Sequence, residues 1–453
     1  MSRVLKFGGS SVADAGCMRQ VVTLVKEALP HGPLVVLSAM GKTTNGLFAA
    51  AKAAEAGRLD EAMAGHQALL AAHRQSASDL FDGALPKELE EALSELFGEL
   101  DFLLRGVAML RELSPRSMDA VAAFGERLST TLFAAHLRAE GVAATWVDAR
   151  SVMRTDAQFG AAVPQIQALE QQAKALLLPH LGPGRAVVTQ GYIGATEEGI
   201  TTTLGRGGSD YSAALFAAAV GADEVQIWTD VEGVLTCDPR IVPGALPIPE
   251  LSFAEAGELA AFGAKVLHPA TIQPAVEARI PVTVRHTLRP NGRFTTITGE
   301  VRTGRPVTAL ASRGPITVLT VTSTRMLAQS GFLAKIFDVF ARHQVSVDLI
   351  ATAEVSVSLT VEADAPLKKL PADLDAFAKV EVAEGRAIVA VVGERLKATP
   401  GVAGRAFAAL GGINVEMISM GANEINLSLV LVKDQAPEAL RRLHAALIEE
   451  GGR

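Results

Sequence analysis

At 453 residues, 49% of them apolar and 20% charged, the chain is long enough for about two to four domains with substantial cores. Its formal net charge of −7 speaks against a nucleic-acid partner, and no uncharged apolar run reaches the roughly 20 residues of a membrane helix. Two cysteines, Cys17 and Cys237, are too few for a disulfide framework or a thiolate metal cage. Each is expected as a small buried residue in a reducing, cytoplasmic protein.

The opening "MSRVLKFGGSS" reads as a strand from about residue 3, which leaves no room for a signal peptide. A helix is expected over "SVADAGCMRQVVTLVKEAL", a second strand over "GPLVVLSAM", and a turn at "GKTTNG". Residues 47–140 repeat alanine, leucine and glutamate at helical spacing. Alternation then resumes with the strand "AATWVDA", the helix "PQIQALEQQAKALLLPHL", the strand "RAVVTQGYIGA", a glycine cluster leading into a helix, and the strand "EVQIWTD". Continuous apolar strands alternating with helices predict an α/β parallel sheet covered on both faces.

Five stretches could carry chemistry. In "KFGGSS", Lys6 ends a strand, Gly8 and Gly9 make the turn, and a helix is expected near Ser11. Backbone N–H groups and a helix N-terminus would then meet at one point and favour an anion. The same residues would also serve an ordinary strand-to-helix turn.

"AAFGERLST" sets Glu126 in a small, apolar helix, where a carboxylate needs a cation: a structural arginine or a bound ammonium. "LGRGGSD" lacks the lysine of a P-loop and the third glycine of the dinucleotide fingerprint. Its Gly205, Gly207 and Gly208 still allow close approach of phosphate, Arg206 offers a planar fork to a carboxylate, and Ser209 or Asp210 can cap the next helix. Two such turns at strand ends of one parallel sheet can face one crevice.

"WTDVEGVLTCDPR" ends a buried strand at Thr229 and Asp230 and runs through a turn-rich loop to Arg240, a surface loop at its plainest. "FGAKVLHPATI" places Lys265 on an apolar helix, where it needs a partner, and His268 at that helix's end.

The texture turns polar at "RHTLRPNGRFTTITGEVRTGRP", which reads as a boundary. Two segments beyond it, starting at "PITVLTV" and "AIVAVVG", each run strand, glycine turn, helix, strand, strand, with a period of roughly 70 residues. Such a duplicated α+β unit is a packing module or a small-molecule sensor.

Taken together, "KFGGSSVAD", "VLSAMGKTTN", "FGERLST", "TTTLGRGGSDYSA", "WTDVEGVLTCDPR" and "FGAKVLHPATI" resemble the aspartate kinases of the amino-acid kinase family, in the family's order. The tail resembles tandem ACT domains of the monofunctional, lysine-sensitive branch. The resemblance implies an amino-acid kinase-type parallel-sheet sandwich over 1–290, a linker over 291–314, and two ferredoxin-like ACT domains over 315–385 and 386–453. It implies transfer of the γ-phosphoryl of ATP, with Mg²⁺, to the side-chain carboxylate of L-aspartate.

In that reading Lys6 stabilises the transferring phosphoryl and Asp210 organises Lys6. Glu126 holds the aspartate ammonium, Arg206 its α-carboxylate, and Thr44 and Ser209 help to seat it. Thr229, Asp230, Arg240 and Lys265 contact the nucleotide, with Gly8, Gly9, Gly207 and Gly208 along the phosphate path. No dedicated metal ligands are implied.

Met326, Asp348 and Thr352 match an effector pocket for L-lysine, although Gln329 and Ser330 depart from the usual pair before "GFL". Leu235 also stands where relatives often carry a tyrosine near the adenine. A homodimer or larger homo-oligomer is implied, and a fused homoserine dehydrogenase is not. The competing readings are another amino-acid kinase, against which Glu126 argues, and an inactive sensor, against which Lys6 argues.

Overall fold

Short apolar strands that are buried along their length need neighbours on both edges, and here they assemble into one eight-stranded sheet. The computed structural model describes residues 2–263, 269–299, 301, 305–328 and 330–450. The strands are β1 (Arg3–Phe7), β2 (Leu34–Leu37), β3 (Ala143–Trp146), β4 (Arg185–Gln190), β5 (Ile193–Ala195), β6 (Thr201–Thr203), β7 (Glu224–Thr229), β8 (Glu250–Ser252), β9 (Val282–His286) and β10 (Thr295–Thr298).

The sheet runs β3-β4-β2-β1-β7-β9-β10-β8, while β5 and β6 form a separate antiparallel pair. Six strands from β3 to β9 are parallel, so their carboxyl ends lie along one edge. β10 returns antiparallel to β9. The expected strand over residues 185–195 is thus two strands, because Tyr192 turns at a φ of 69° between them.

Side-chain alternation sorts each strand between two faces. Leu5 and Phe7 of β1, Val35 and Leu37 of β2, and Val188 of β4 join the apolar cluster formed with helices Ala15–Ala28, Thr43–Glu55, Lys87–Leu110 and Phe124–Ala139. Lys6 therefore points to the opposite face, against helix Gly208–Val220, which packs on β1, β2 and β7. The expected helical stretch 47–140 is present as five helices between Thr43 and Ala139. These elements, with Pro249–Leu251 and the segment ending at Gly299, make one compact unit.

A second compact unit holds the duplicated tail. Its strands β11 (Ala309–Thr322), β12 (Ile350–Thr352), β13 (Ser356–Glu362), β14 (Lys379–Val392), β15 (Met417–Met420) and β16 (Asn426–Val432) form one antiparallel sheet in the order β12-β13-β11-β14-β16-β15. The two repeats share it through the long central strands. Ile316–Thr322 of β11 pairs within the first repeat, while Ala309–Arg313 pairs with Ile388–Val392 of the second. Residues 309–313, expected inside a linker, are strand because Leu310 and Val307 fill the second repeat's apolar core.

Leu235–Ile248 and the chain from Ser252 to Gly263 also group with this unit, although the sequence places them in the catalytic domain. Among the described residues no helix is long and apolar enough to cross a membrane.

Candidate active site

Near the carboxyl end of β1, Lys6 stands between the apolar Leu5 and Phe7. Lys6 is 9% exposed, and its Nζ lies 2.7 Å from Oδ1 of Asp210. Asp210 arrives from the first turn of helix Gly208–Val220. Gly207 precedes that helix at a φ of 72°, a left-handed turn that a side chain would resist, and makes the N-cap with no side-chain hydrogen bond. The expectation that Ser209 or Asp210 caps the helix is therefore corrected. Because the backbone of Gly207 turns the chain into the helix, Asp210 is left to face Lys6. A buried ion pair contributes little net stability after desolvation, so this one is better read as a held charge than as a staple.

Two post-strand turns close around that charge. Ser38 N–H donates to the Phe7 carbonyl at 3.1 Å and Gly41 N–H to the Gly9 carbonyl at 3.0 Å. Gly9 must be glycine for this approach, since a Cβ there would stand 2.9 Å from the Ala39 oxygen. Gly8 donates its N–H to the Trp228 carbonyl at 3.3 Å, tying the turn to β7.

The helix expected near Ser11 starts later, at Ala15, with Asp14 accepting from Cys17 N–H at 2.8 Å. Ser11 is not free to cap: its hydroxyl meets Thr287 Oγ1 at 2.6 Å and the Trp228 carbonyl at 3.3 Å. A 3₁₀ turn, Gly9–Val12, fills the gap.

Glu126 sits in the first turn of helix Phe124–Ala139 and is 3% exposed. Its Oε1 accepts from Ala39 N–H at 3.1 Å, just past the end of β2, while Oε2 has no hydrogen-bond partner among the described residues. Burial with so little compensation pushes its carboxyl up to about 8. Thr43, beside Thr44, donates its hydroxyl to Met40 O at 2.6 Å, and Thr44 is half-buried in the same opening turn of helix Thr43–Glu55. Ser209 is half-buried beside Asp210, and Gly208 opens their helix. Arg206 is exposed and makes no ion pair among the described residues.

At the end of β7, Thr229 accepts Thr287 N–H on its carbonyl at 2.9 Å and donates its hydroxyl to Asp230 at 3.1 Å. Asp230 is exposed. Arg240 is described within the second unit, exposed and paired with Asp238 at 2.5 Å. Leu235 bridges to Pro247 in the same loop. Lys265, His268 and Gln329 lie outside the described residues.

Sequence reasoning missed Asp119 and Thr287. Asp119 is buried and accepts from Thr203 N–H (2.9 Å), Thr203 Oγ1 (2.7 Å) and Gly160 N–H (2.9 Å), so it fixes β6 directly before the glycine loop. Its burial outweighs those bonds and raises its pKa. The only signal was a lone acid among Met118, Ala120 and Val121, a pattern any half-exposed helix shows.

In the second unit, Met326 lies in the 3₁₀ segment Thr324–Ala328, and Thr352 ends β12, exposed. Asp348 is already occupied, its Oδ1 lying 3.2 Å from Arg313 Nη1. Arg313 also pairs with Glu362.

The sheet edge, the two glycine turns and the doubled repeat agree with comparisons to known proteins. The amino acid kinase family matches residues 1–286, and the ACT domain matches 319–366 and 389–447. The lysine-sensitive aspartokinase 3 of Escherichia coli is 42% identical, over 98% of this chain and 99% of its own. Aspartokinase 1, chloroplastic, of Arabidopsis thaliana is 38% identical, over 99% of this chain and 80% of its own.

The crystal structure of E. coli aspartokinase III in complex with aspartate and ADP (R-state) superposes with a TM-score of 0.86 at 41% identity, covering 99% of this chain and 100% of that one. Its complex with lysine and aspartate (T-state) gives 0.81 at 41% identity, covering 99% of each chain. The chain belongs to the amino acid kinase family, as an aspartate kinase with C-terminal ACT domains.

Proposed function

We propose that this aspartate kinase moves the γ-phosphoryl of ATP onto the β-carboxylate of L-aspartate at the edge marked by Lys6. The observation that carries the assignment is the Lys6–Asp210 pair, a buried cation held beside the glycine turn that follows the parallel strand β1, with its aspartate supplied by the glycine turn that follows β6 of the separate antiparallel pair. A side-chain carboxylate with a pKa of about 3.9 is ionised at neutral pH. One of its oxygens attacks the γ-phosphorus, the bond to the β,γ-bridging oxygen breaks, and ADP leaves with the electron pair. No general base is needed, so positioning and charge neutralisation carry the chemistry.

Lys6 meets the equatorial oxygens of the γ-phosphoryl, Asp210 keeps its ammonium aimed, and Gly8, Gly9, Gly207 and Gly208 leave room for phosphate. Glu126 takes the ammonium of aspartate on its open Oε2, and Arg206 takes the α-carboxylate, with Thr44 and Ser209 alongside. Thr229 and Asp230 contact the nucleotide, joined by Arg240 and Lys265. Where Mg²⁺ accompanies the triphosphate, the carboxylates of Asp210 and Asp230 would offer it hard oxygen donors, phosphates and water would fill most of its shell, and it would supply further charge neutralisation.

The ACT modules, taken as 315–385 and 386–453, bind L-lysine through Met326, Asp348 and Thr352 and inhibit the enzyme. A lysine ammonium would meet Asp348 at Oδ2, which has no hydrogen-bond partner among the described residues, beside the Arg313 held on Oδ1. The protein is taken as a cytoplasmic homo-oligomer; the free thiols of Cys17 and Cys237 suit the reducing compartment.

The test is ADP release with L-aspartate as acceptor, with the acyl phosphate trapped by hydroxylamine as the hydroxamate. Aspartate-dependent ADP and hydroxamate are expected, reduced by millimolar lysine. Turnover with glutamate but not aspartate would overturn the reading, and inhibition by threonine alone would overturn the effector assignment.

Arg206→Lys keeps the charge and loses the planar fork. We expect the KM for aspartate to rise about tenfold while kcat changes less. An unchanged KM would remove Arg206 from the carboxylate.

A further inference from the structure

The loop between β7 and β8 is fastened to the end of the chain by a buried hydrogen-bond chain centred on His444. Thr236 is the hub. Its N–H donates to the Leu246 carbonyl at 2.8 Å, its hydroxyl oxygen accepts from Leu246 N–H at 2.8 Å, and its carbonyl accepts from Leu310 N–H at 2.8 Å. The same hydroxyl lies 2.9 Å from His444 Nε2, and His444 Nδ1 lies 2.9 Å from Glu449 Oε1. Thr236 is 4% exposed and His444 is fully buried.

With Nδ1–H donated to the carboxylate, Nε2 accepts the threonine proton and every polar group in the chain is satisfied. Apolar packing repeats the link: Cys237 and Val242 of the loop share a core with Leu440, Leu443 and Leu447. Held at its neck by Thr236 and Leu246, the loop presents Asp238 and Arg240 at its exposed side, the two locked to each other.

We propose that His444 is a positioning residue for the nucleotide, acting through Thr236 to set the loop that carries Arg240. The inference rests on the nucleotide role given to Arg240 above. Glu449 orients the imidazole, the imidazole fixes the Thr236 hydroxyl, and the neck of the loop follows. The last helix of the second repeat thereby sets ATP affinity in the absence of any effector. Aspartate, gripped in the other unit by Glu126, is not part of this chain of contacts.

The experiment measures KM for ATP, KM for aspartate, kcat and Tm on the full-length enzyme for His444→Ala, His444→Gln, Thr236→Val and Arg240→Ala. Loss of one buried hydrogen bond at the neck is expected to raise KM for ATP at least about fivefold in His444→Ala and Thr236→Val, with KM for aspartate unchanged. His444→Gln, which keeps an acceptor near the Nε2 position, is expected to recover part of the effect.

A lowered Tm with no change in KM for ATP would reduce the chain to a structural tie and overturn the proposal. Should Arg240→Ala leave KM for ATP unchanged while His444→Ala raises it, the nucleotide role of Arg240 fails separately. Aspartate-dependent turnover in the wild type tests the enzyme assignment on its own.

Discussion

Lys6→Ala is expected to lower kcat by about a thousandfold while KM for aspartate moves little, because the lost charge acts on the transferring phosphoryl rather than on the bound acceptor. The sheet makes this residue hard to replace. β1 is anchored by parallel pairing to β2 and β7, with Lys6 opposite Val36 on one side and Ile227 on the other. No neighbouring position on the strand can deliver a cation to the same face, since Leu5 and Phe7 alternate into the apolar cluster.

Removing the ammonium also leaves Asp210 without its partner, a change that costs about 3–5 kcal/mol when a pair is fully buried. Asp210 keeps a side-chain exposure of 18%, so the stability loss should fall below that range. Asp210→Asn separates the two effects. It leaves the cation in place but loosens its aim, and kcat is expected to fall by about ten- to a hundredfold. The double variant should be no slower than Lys6→Ala. Thermal melts on all three distinguish lost chemistry from lost fold. Turnover in Lys6→Ala within tenfold of wild type would take Lys6 out of the mechanism.

What the sequence makes legible here is local contrast. Lys6 and Glu126 stand out because each is a charge set among apolar or small residues, and burial of such a residue is improbable without a task. Their pairing state is a different matter. Lys6 meets Asp210 on the face where helix Gly208–Val220 packs, and only three-dimensional strand order brings that helix start to β1.

Where two local signals compete, the sequence misplaces the boundary. Ser11 looks like a helix cap until its hydroxyl is spent on Thr287, and the helix then waits for Asp14. The repeats were readable as repeats because each carries its own strand and helix periodicity. That β11 and β14 serve both was not, because a strand's partner leaves no mark in its own alternation. The same blindness hides Thr236, an ordinary threonine in a loop until His444 is set against it. Long-range polar pairs are the part of this molecule that pattern cannot supply.

Glu126 gives the second large effect, and its sign is set by burial. Among the described residues the carboxyl has one N–H partner, an open Oε2 and no paired cation, and burial lifts it from the ordinary 4.5 to about 8. Tyr192 lies within electrostatic reach and offers no positive charge at neutral pH, and Arg127, next in the helix, is paired with Glu99. The native chain holds this proton more tightly than the unfolded chain does. Its contribution to stability is therefore complete below 4.5 and is lost as pH rises through about 8.

Substrate binding runs the other way. An ammonium docked on Oε2 favours the ionised carboxylate, so aspartate binding releases a proton whenever the free enzyme holds one. KM for aspartate is accordingly expected to fall as pH rises from roughly 6 to 8, by up to about tenfold per unit, and then to level. Glu126→Gln should abolish that slope and remove the pH-dependent loss of stability. Glu126→Ala should raise KM for aspartate about a hundredfold, as expected when one partner of a buried charged pair is truncated. A wild-type KM for aspartate that stays flat across this range would mean that the ammonium is held elsewhere.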